Sequence, residues 1–175
     1  MTSKLKTDVI ETVSGSGTIA LANQFSGMTY ESMPAGHILQ TVVNSTNSVN
    51  ATTSTSFVST SVTVTITPSS ADSKILILHQ GMLNKQSSSQ WHWATLYRDG
   101  INFGIGGAGA SAEAMGGAYN NSASDSHTPF TVNYLDSPNT TLATTYTIYH
   151  KVNGGSARYN ADGWKLYITA IEIKG

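Results

Sequence analysis

The sequence predicts an all-β fold, an antiparallel β-sandwich or jelly roll of about eight strands. One observation is the stretch 61–67 (SVTVTIT), in which aliphatic and hydroxyl residues alternate without a break. Because successive side chains of a strand point to opposite faces, Val62, Val64 and Ile66 are expected to line a core. A second observation is that no long window carries a convincing apolar stripe of helical period. Strand faces, rather than helix faces, are therefore expected to build the core.

Each strand is predicted from a short apolar or alternating run between turn residues. The run 74–79 (KILILH) is continuously apolar between its ends, which is typical of a strand covered on both faces. Asp99 and Gly100 separate two apolar runs, and such a pair predicts a tight hairpin. The predicted strands cover 37–43, 57–67, 74–79, 91–98, 101–103, 130–135, 141–152, 157–160 and 165–174.

The chain is predicted to divide into an extended N-terminal segment, residues 1–36, and a β-sandwich domain, residues 37–175. The apolar residues of the segment are too sparse for an independent core, so we expect them to pack on the main domain or on another chain. Two stretches interrupt the strand pattern, a polar one at 44–56 and one rich in Gly, Ala, Ser and Asn at 104–128. Both are predicted loops, and the length of the second predicts that it is functional or partly disordered.

The composition indicates a surface of hydroxyl and amide groups. Only 11% of the 175 residues are charged, and 9 basic against 10 acidic residues leave a formal net charge of −1. This balance provides no electrostatic attraction for a phosphate backbone or an anionic membrane surface. The sequence therefore predicts neither a nucleic-acid partner nor membrane insertion. The absence of cysteine excludes disulfides and thiolate catalysis.

Three patterns have the residue types of a cofactor-binding or catalytic site but lack the spacing or the structural context that such a site needs. Residues 104–109 match G-x-G-x-x-G, but no helix that could hold a pyrophosphate follows. The run 125–127 (DSH) has the residue types of a hydrolase triad, but sequence neighbours cannot line up as nucleophile, base and acid. Asp99, Asp136 and Asp162 lie in predicted turns, where they are expected to cap backbone amides. We therefore predict no catalytic residue, no cofactor and no enzymatic activity.

The five histidines never occur as H-x-H or H-x-x-x-H, so no local pair of metal ligands exists. We predict no metal site, although one assembled from different strands or from several chains is left open.

The stretch 91–98 (WHWATLYR) contains the most unusual local pattern. Alternation places Trp91, Trp93 and Tyr97 on one face and the small aliphatic residues between them on the other. If the aliphatic face is buried, the rings form an exposed platform for a sugar or an interface; if the aromatic face is buried, they are core. Both alternatives are left open here. The candidate contacts with a receptor or a neighbouring subunit are Trp91, Trp93, Tyr97, Tyr119, Asn120 and Asn121.

Several stretches together resemble the tail-fibre and related virion-appendage proteins of tailed bacteriophages of aquatic bacteria. They are SKLKTDVIETVSGSGTIAL at 3–21, SFVSTSVTVTITPSSADSKILIL at 56–78, YLDSPNTTLATTYTIYHKV at 134–152 and ITAIEI at 168–173. The likeness is one of phrase order and turn placement, and it includes no catalytic signature. It covers most of the chain except residues 104–128.

The resemblance implies a β-rich domain that forms a homotrimer, an N-terminal piece that attaches to the virion and a distal region that contacts the host surface. It implies a virion protein that is assembled in the host cytoplasm. Its partners would be other virion proteins of the tail, baseplate or capsid, and a glycan or protein of the host surface. The candidate virion-attachment residues are Leu5, Val9, Ile10, Val13, Ile19 and Leu21.

The length of the chain leaves alternatives beside a short trimeric tail fibre or spike. At 175 residues the chain is short for a fibre and has no long repetitive shaft. A capsid (head) decoration protein of the same kind of virion is one alternative. A carbohydrate-binding, lectin-like module is the other, because alternation and aromatic residues would look the same in it.

Overall fold

The computed structural model describes residues 32–86, 89–104, 113–121 and 125–175. In these ranges the regular elements are β-strands, and they form two antiparallel sheets. The strands are β1 (Ile38–Thr46), β2 (Asn50–Thr52), β3 (Val58–Ile66), β4 (Lys74–Lys85), β5 (Gln90–Arg98), β6 (Ile101–Asn102), β7 (Gly116–Asn120), β8 (Ser126–Asp136), β9 (Thr144–Val152), β10 (Ala157–Tyr159) and β11 (Leu166–Ile173). The prediction of an all-β antiparallel sandwich is confirmed.

The strand order is that of a jelly roll. Sheet 1 has the order β1-β11-β4-β10-β2, and β8 pairs with the other edge of β4. Sheet 2 has the order β3-β9-β5-β6, and β7 also pairs with β5. The longer strands thus form two layers, β1-β11-β4-β8 and β3-β9-β5-β7, between which the chain passes repeatedly. The other three strands, β2, β6 and β10, are two or three residues long.

The alternation at 61–67 is realised in β3. Val62, Val64 and Ile66 are 1–2% exposed and lie in the core between the sheets. On the opposite face, the hydroxyl oxygen of Thr63 lies 2.9 Å from that of Thr147 on β9. Thr65 and Thr145 pair in the same way at 2.9 Å. The hydroxyl residues of the two strands therefore satisfy one another across the sheet, and their β-branched side chains suit the pleated surface.

The predicted Asp-Gly hairpin is confirmed. β5 and β6 pair through Arg98 and Ile101. The φ angles of Asp99 and Gly100 are 48° and 86°, in the left-handed region that a two-residue hairpin turn needs. The carboxylate of Asp99 also accepts a hydrogen bond from the backbone N–H of Thr145 at 2.8 Å. The residue therefore shapes the turn and ties it to β9.

The predicted loop at 104–128 is wrong in part, because it contains β7 and the start of β8. β7 begins with two glycines, which are depleted in strands, so residue preference argues against it. Packing explains the second of them: a Cβ on Gly117 would lie 2.4 Å from Cδ1 of Trp93. The polar stretch 44–56 likewise contains the short strand β2.

β4 is covered on one face only within the described chain. Ile75 and Ile77 are fully buried, whereas Leu78 on the opposite face is 37% exposed. Among the described residues, the expectation that the run 74–79 is covered on both faces is therefore not met. The strand also continues to Lys85, through residues that are mostly buried.

Residues 32–36 lie beside the end of β11. The backbone N–H of Gly36 donates to the carbonyl of Lys174 at 2.8 Å. The ammonium of Lys174 donates to the carbonyl of Met33. Residues 1–31, with all six virion-attachment candidates, lie outside the described residues, and the division at residue 36 stays a prediction.

Candidate functional site

The aromatic residues of β5 point away from the core. Ala94 and Leu96 are fully buried between the sheets. Alternation then puts Trp91, Trp93 and Tyr97 on the outer face of sheet 2. The rings of Trp91 and Trp93 are stacked, with centroids 5.8 Å apart and planes at 2°. Of the two alternatives that the sequence left open, the structure has the aliphatic face inside and the aromatic face outside.

Tyr119 on β7 extends this array of rings. It lies opposite Trp91 in the register of β5 and β7, and the two ring centroids are 5.2 Å apart. Trp91 is 40% exposed and Tyr119 is 48% exposed, whereas Trp93 is 5% exposed. We call Trp91, Trp93 and Tyr119 the aromatic surface. Solvent reaches its outer two rings, and Trp93 supports them from the packed side.

A second group of rings adjoins the aromatic surface. The rings of Tyr97 and Tyr149 stack with centroids 3.9 Å apart, and Phe57 lies 6.2 Å from Tyr97. The ammonium of Lys151 lies 4.4 Å from the ring centroid of Phe57 and 5.7 Å from that of Trp93. Such cation–π contacts join the two groups. Tyr97 is half-buried by contacts within its own chain.

The two asparagines after Tyr119 face opposite sides of β7. Asn121 is exposed. Asn120 is 2% exposed, and its side chain donates to the carbonyl of Lys85 at 3.4 Å. Alternation turns Asn120 inward when Tyr119 points outward. Asn120 therefore does not share the outer face with Tyr119, and its role as a contact stays a prediction.

A buried pair of histidines was missed by sequence reasoning. Nε2 of His92 on β5 lies 3.0 Å from Nδ1 of His150 on β9, and the two residues are 0% and 1% exposed. Burial lowers the pKa of His92 to about 3, and the charges of His150 and Lys85 add to the shift. Burial lowers the pKa of His150 to about 4. Both rings are thus neutral at pH 7, and one donates its N–H to the other.

Lys85 is buried near this pair, and no described carboxylate lies within ion-pair distance of it. Its ammonium donates to the backbone carbonyls of Gly154 and Ser156 at 3.1 Å each. Burial lowers the pKa of Lys85. We call Lys85, His92 and His150 the basic end of the sandwich. Pairing between residues 58 positions apart leaves no local spacing signal, which is why the sequence did not predict it.

Glu172 is a buried carboxylate at the opposite end of β4. It accepts hydrogen bonds from the side chain of Gln40 at 2.6 Å and the hydroxyl of Ser73 at 2.6 Å. Ser69 donates its backbone N–H at 2.6 Å and its hydroxyl at 3.1 Å. Burial by itself raises the pKa of Glu172, but the hydrogen bonds from Ser73, Gln40 and Ser69 outweigh burial and lower it. The group is therefore charged at neutral pH.

Asp136 is the second buried carboxylate at this end. Its two oxygens lie 2.9 and 2.8 Å from Nη1 of Arg98, which donates to them. The hydroxyl of Tyr146 donates to one of them at 2.6 Å. The expectation that Asp136 caps a turn is wrong, because β8 extends to this residue and turns its side chain inward. We call Asp136 and Glu172 the carboxylate end of the sandwich.

A crevice of about 670 Å³ opens in sheet 1, where the edge of β4 changes its partner from β11 to β10. Trp164 and Tyr167, which are 56% and 53% exposed, contribute to its walls. His79 also lines it, but both ring nitrogens already have partners, the carbonyl of Tyr167 and the hydroxyl of Tyr159, at 2.7 Å each. The lining contains no carboxylate, so the paired acids of a hydrolase are absent from this crevice.

The described ranges contain no group of three or more His, Cys, Asp or Glu residues that could hold a metal ion. The same ranges contain no helix that is long and apolar enough to cross a membrane. The predictions of no metal, no cofactor and no catalytic residue stay predictions.

Comparison with known proteins gives similar solved structures, and two of them come from infectious bursal disease virus. The structure of infectious bursal disease virus Gx strain has 15% identity and a TM-score of 0.36, over 78% of this chain and 32% of that chain. A mutant VP2 protein of infectious bursal disease virus, in derived T=1 particles, has 12% identity and a TM-score of 0.38, over 89% of this chain and 40% of that chain. This chain thus spans less than half the length of either. No family model and no curated protein matches it. Because both TM-scores lie below 0.5, neither likeness bears on function.

Proposed function

We propose that this chain is a structural protein of a bacteriophage virion, a short homotrimeric tail fibre or spike. Residues 1–36 attach it to the particle, and the β-sandwich contacts the host surface. The chain binds and does not catalyse. Its place of action is the virion, after assembly in the host cytoplasm.

The proposal rests on a contact between two of the stretches that resemble tail-fibre proteins. The phrase at 56–78 contains Ser69 and Ser73, and the phrase at 168–173 contains Glu172. Both serines donate hydrogen bonds to the Glu172 carboxylate, at 2.6 to 3.1 Å. A buried carboxylate needs such donors, so the two phrases form one structural unit. The proposal takes these stretches as parts of one packed domain.

The outer face of sheet 2 suits a protein that works outside cells. Its threonines pair with one another, as Thr63 does with Thr147 and Thr65 with Thr145. Hydroxyl groups stay hydrated without ion pairs, whose attraction salt would screen. A particle carrying many crowded copies of such a surface would keep the same behaviour over a wide range of salt.

The aromatic surface is the proposed contact with the host. Trp91 and Tyr119 expose ring faces that can stack on a sugar or pack against a protein, and Asn121 supplies an exposed amide next to them. Binding residues carried by a rigid scaffold are common in recognition proteins. The same feature also favours the lectin-like alternative, in which the chain binds a glycan without belonging to a virion.

Imaging of tagged particles tests the location of the protein. A tag on the full chain, located on phage particles by electron microscopy, is expected at the tail. A tag distributed over the capsid would contradict the tail fibre and favour the head decoration protein. Absence from purified particles would contradict both and leave the lectin-like module.

Removal of residues 1–36 tests attachment. The truncated chain is expected to lose incorporation into particles while it keeps the circular dichroism spectrum of β-sheet. Incorporation at the level of the full chain would contradict an N-terminal attachment segment.

Trp91→Ala tests the host contact. It is expected to reduce binding of the purified protein to host cells about 5- to 150-fold, because stacking on an aromatic ring contributes free energy on the order of 1–3 kcal/mol. Trp164→Ala is the matched control, because Trp164 is a comparably exposed tryptophan away from the aromatic surface, in the loop before β11. Equal loss in both variants would contradict a specific contact at the aromatic surface.

A further inference from the structure

The outer face of sheet 1 exposes several large apolar residues that no described residue covers. Leu78 is 37% exposed, Leu135 51%, Val43 55% and Tyr167 53%. These residues lie on four different strands, β4, β8, β1 and β11. Soluble chains rarely leave such a contiguous apolar face in water, and when they do it marks an interaction site.

The strand register makes this face continuous. Leu76 lies opposite Leu135 on β8 and opposite Ile171 on β11. In the next row, Leu78 lies between Thr169 on β11 and Asn133 on β8. Thr169 in turn lies opposite Val43 on β1. Neighbouring strands lie about 4.8 Å apart, so these side chains are in contact range of one another. We call the surface around Leu76 and Leu78 the apolar face.

The apolar face carries no charge in its central rows. The residues that the register places there are Thr41, Val43, Leu76, Leu78, Asn133, Leu135, Thr169 and Ile171. The nearest lysines stand beyond the rows, Lys74 at one end and Lys165 at the other. A face without charge can meet its own copy, because around a symmetry axis each charged side chain would approach an identical charge.

The size of the face fits a contact between subunits. Four strands about 4.8 Å apart and eight residues long, at about 3.3 Å per residue, give the outer face of sheet 1 a plane of roughly 500 Å², of which the two uncharged rows are about half. Side-chain relief raises the accessible area above that figure. Stable interfaces bury about 800 Å² per partner, so the outer face of sheet 1, with the apolar face at its centre and polar rows around it, approaches the scale of a subunit interface.

We propose that the apolar face is the surface through which copies of this chain associate, around the threefold axis of the trimer. The inference rests on the homotrimer of the proposed function and adds the face that forms it. Leu76, Leu78 and Leu135 then pack against the same residues of neighbouring copies. The aromatic surface, on the opposite sheet, points away from the axis and stays accessible.

The occupant that competes with a second copy is the N-terminal part of the same chain. Residues 1–31 precede the described region and contain apolar residues, and the chain enters the sandwich beside Lys174 at the end of β11. A segment of the same chain would cover the face without changing the mass of the protein. The mass in solution therefore separates the two occupants.

Sedimentation velocity of the full chain and two variants makes the first test. The full chain is expected at three times its 18.5 kDa mass, and Leu78→Asp at 18.5 kDa with an unchanged circular dichroism spectrum. Ile101→Asp is the matched control, since Ile101 is 57% exposed in β6 of the other sheet, and it is expected to keep the wild-type mass. A monomeric wild-type chain, or Leu78→Asp at the wild-type mass, would overturn the proposal.

Cross-linking makes the second test, which does not depend on the folding of an aspartate variant. Because the chain has no cysteine, Leu135→Cys introduces one thiol per chain. A short bis-maleimide is expected to join two chains of this variant, and to leave Ile101→Cys largely as single chains. Cross-linking of the second variant alone would overturn the proposal.

The two tests also separate this inference from the function. An oligomer whose mass survives Leu78→Asp would refute the apolar face and leave the homotrimeric virion protein standing. Absence from particles, in contrast, would refute the virion role and leave the mass measurements unaffected.

Discussion

The two ends of the sandwich bury polar groups in opposite ways. At the carboxylate end, hydrogen-bond donors surround both side chains: Arg98 and Tyr146 donate to Asp136, and serines and a glutamine donate to Glu172 and lower its pKa. At the basic end, His92 and His150 are buried neutral, and burial holds both pKa values well below 6.5.

The difference shows that burial alone does not decide whether a titratable group is charged or neutral. The carboxylates hold a turn and two strands together because their donors were brought to them by the fold. The imidazoles fit only while they are neutral, because burial penalises their charged form and, for His92, the charge of Lys85 lies nearby. Both ends lose stability in acid, but they are expected to do so in different ranges of pH.

Acidification from pH 7 to pH 5 is expected to have the largest effect, through the basic end. His92 and His150 titrate near 6.5 in the unfolded chain, and at about 3 and about 4 in the folded chain. Between pH 6.5 and 4 the unfolded state therefore binds more protons than the folded state. The free energy of unfolding consequently decreases as the pH is lowered. The slope is about 1.4 kcal/mol per pH unit for each histidine. Urea unfolding at pH 7, 6 and 5 measures it.

Two variants assign this slope to the pair. His150→Gln is expected to reduce the slope, even if it lowers stability at pH 7. His127→Gln, whose side chain is 39% exposed, is expected to leave it unchanged. A free energy of unfolding that stays constant from pH 6.5 to pH 5 would show that the pair is not buried neutral.

Asp136→Ala is expected to cost about 3 kcal/mol, because it leaves the partly buried guanidinium of Arg98 without its partner. Urea unfolding at pH 7 is the measurement. Asp162→Ala is the control: its carboxylate lies 3.6 Å from His127 and is 45% exposed, so the loss should stay below about 1 kcal/mol. Similar losses in both variants would refute the difference between a buried and an exposed pair.

Glu172→Gln is expected to cost about 2 kcal/mol at pH 7, because several donors lose a charged acceptor. The lowered pKa of Glu172 gives stability that is present above 4.5 and is lost as pH falls through the folded value. The variant should therefore lose less stability than the wild type below pH 4.5. Glu113→Gln, at an exposed carboxylate, is the control. Identical acid curves for wild type and Glu172→Gln would count against a charged Glu172.

Salt is expected to have the smallest effect. The described residues form two ion pairs, and the buried one is shielded from solvent ions. Between low and molar NaCl, the free energy of unfolding at pH 7 should change by less than about 1 kcal/mol. A larger salt dependence would mean that surface charges, rather than the two buried ends, dominate the electrostatics.

The architecture followed from local patterns. The alternation at 61–67 predicted an inner and an outer face of β3, and Asp99-Gly100 predicted the hairpin, because both depend on residues next to one another in the chain. β7 escaped prediction because Gly117 leaves room for Trp93, which lies on another strand. A contact of that kind overrides the preference of the residue for a strand.

The sequence by itself determined the class of the fold, the uncharged hydroxyl surface and which residues of each strand share a face. Only the tertiary structure decided which face is inside, and hence that Trp91 is outside while His92 is buried. It also decided that His92 meets His150, that serines surround Glu172 and that no described residue covers Leu78. The physical reason is that alternation is a property of one strand, whereas burial, pairing and pKa depend on what the other strands bring to each face.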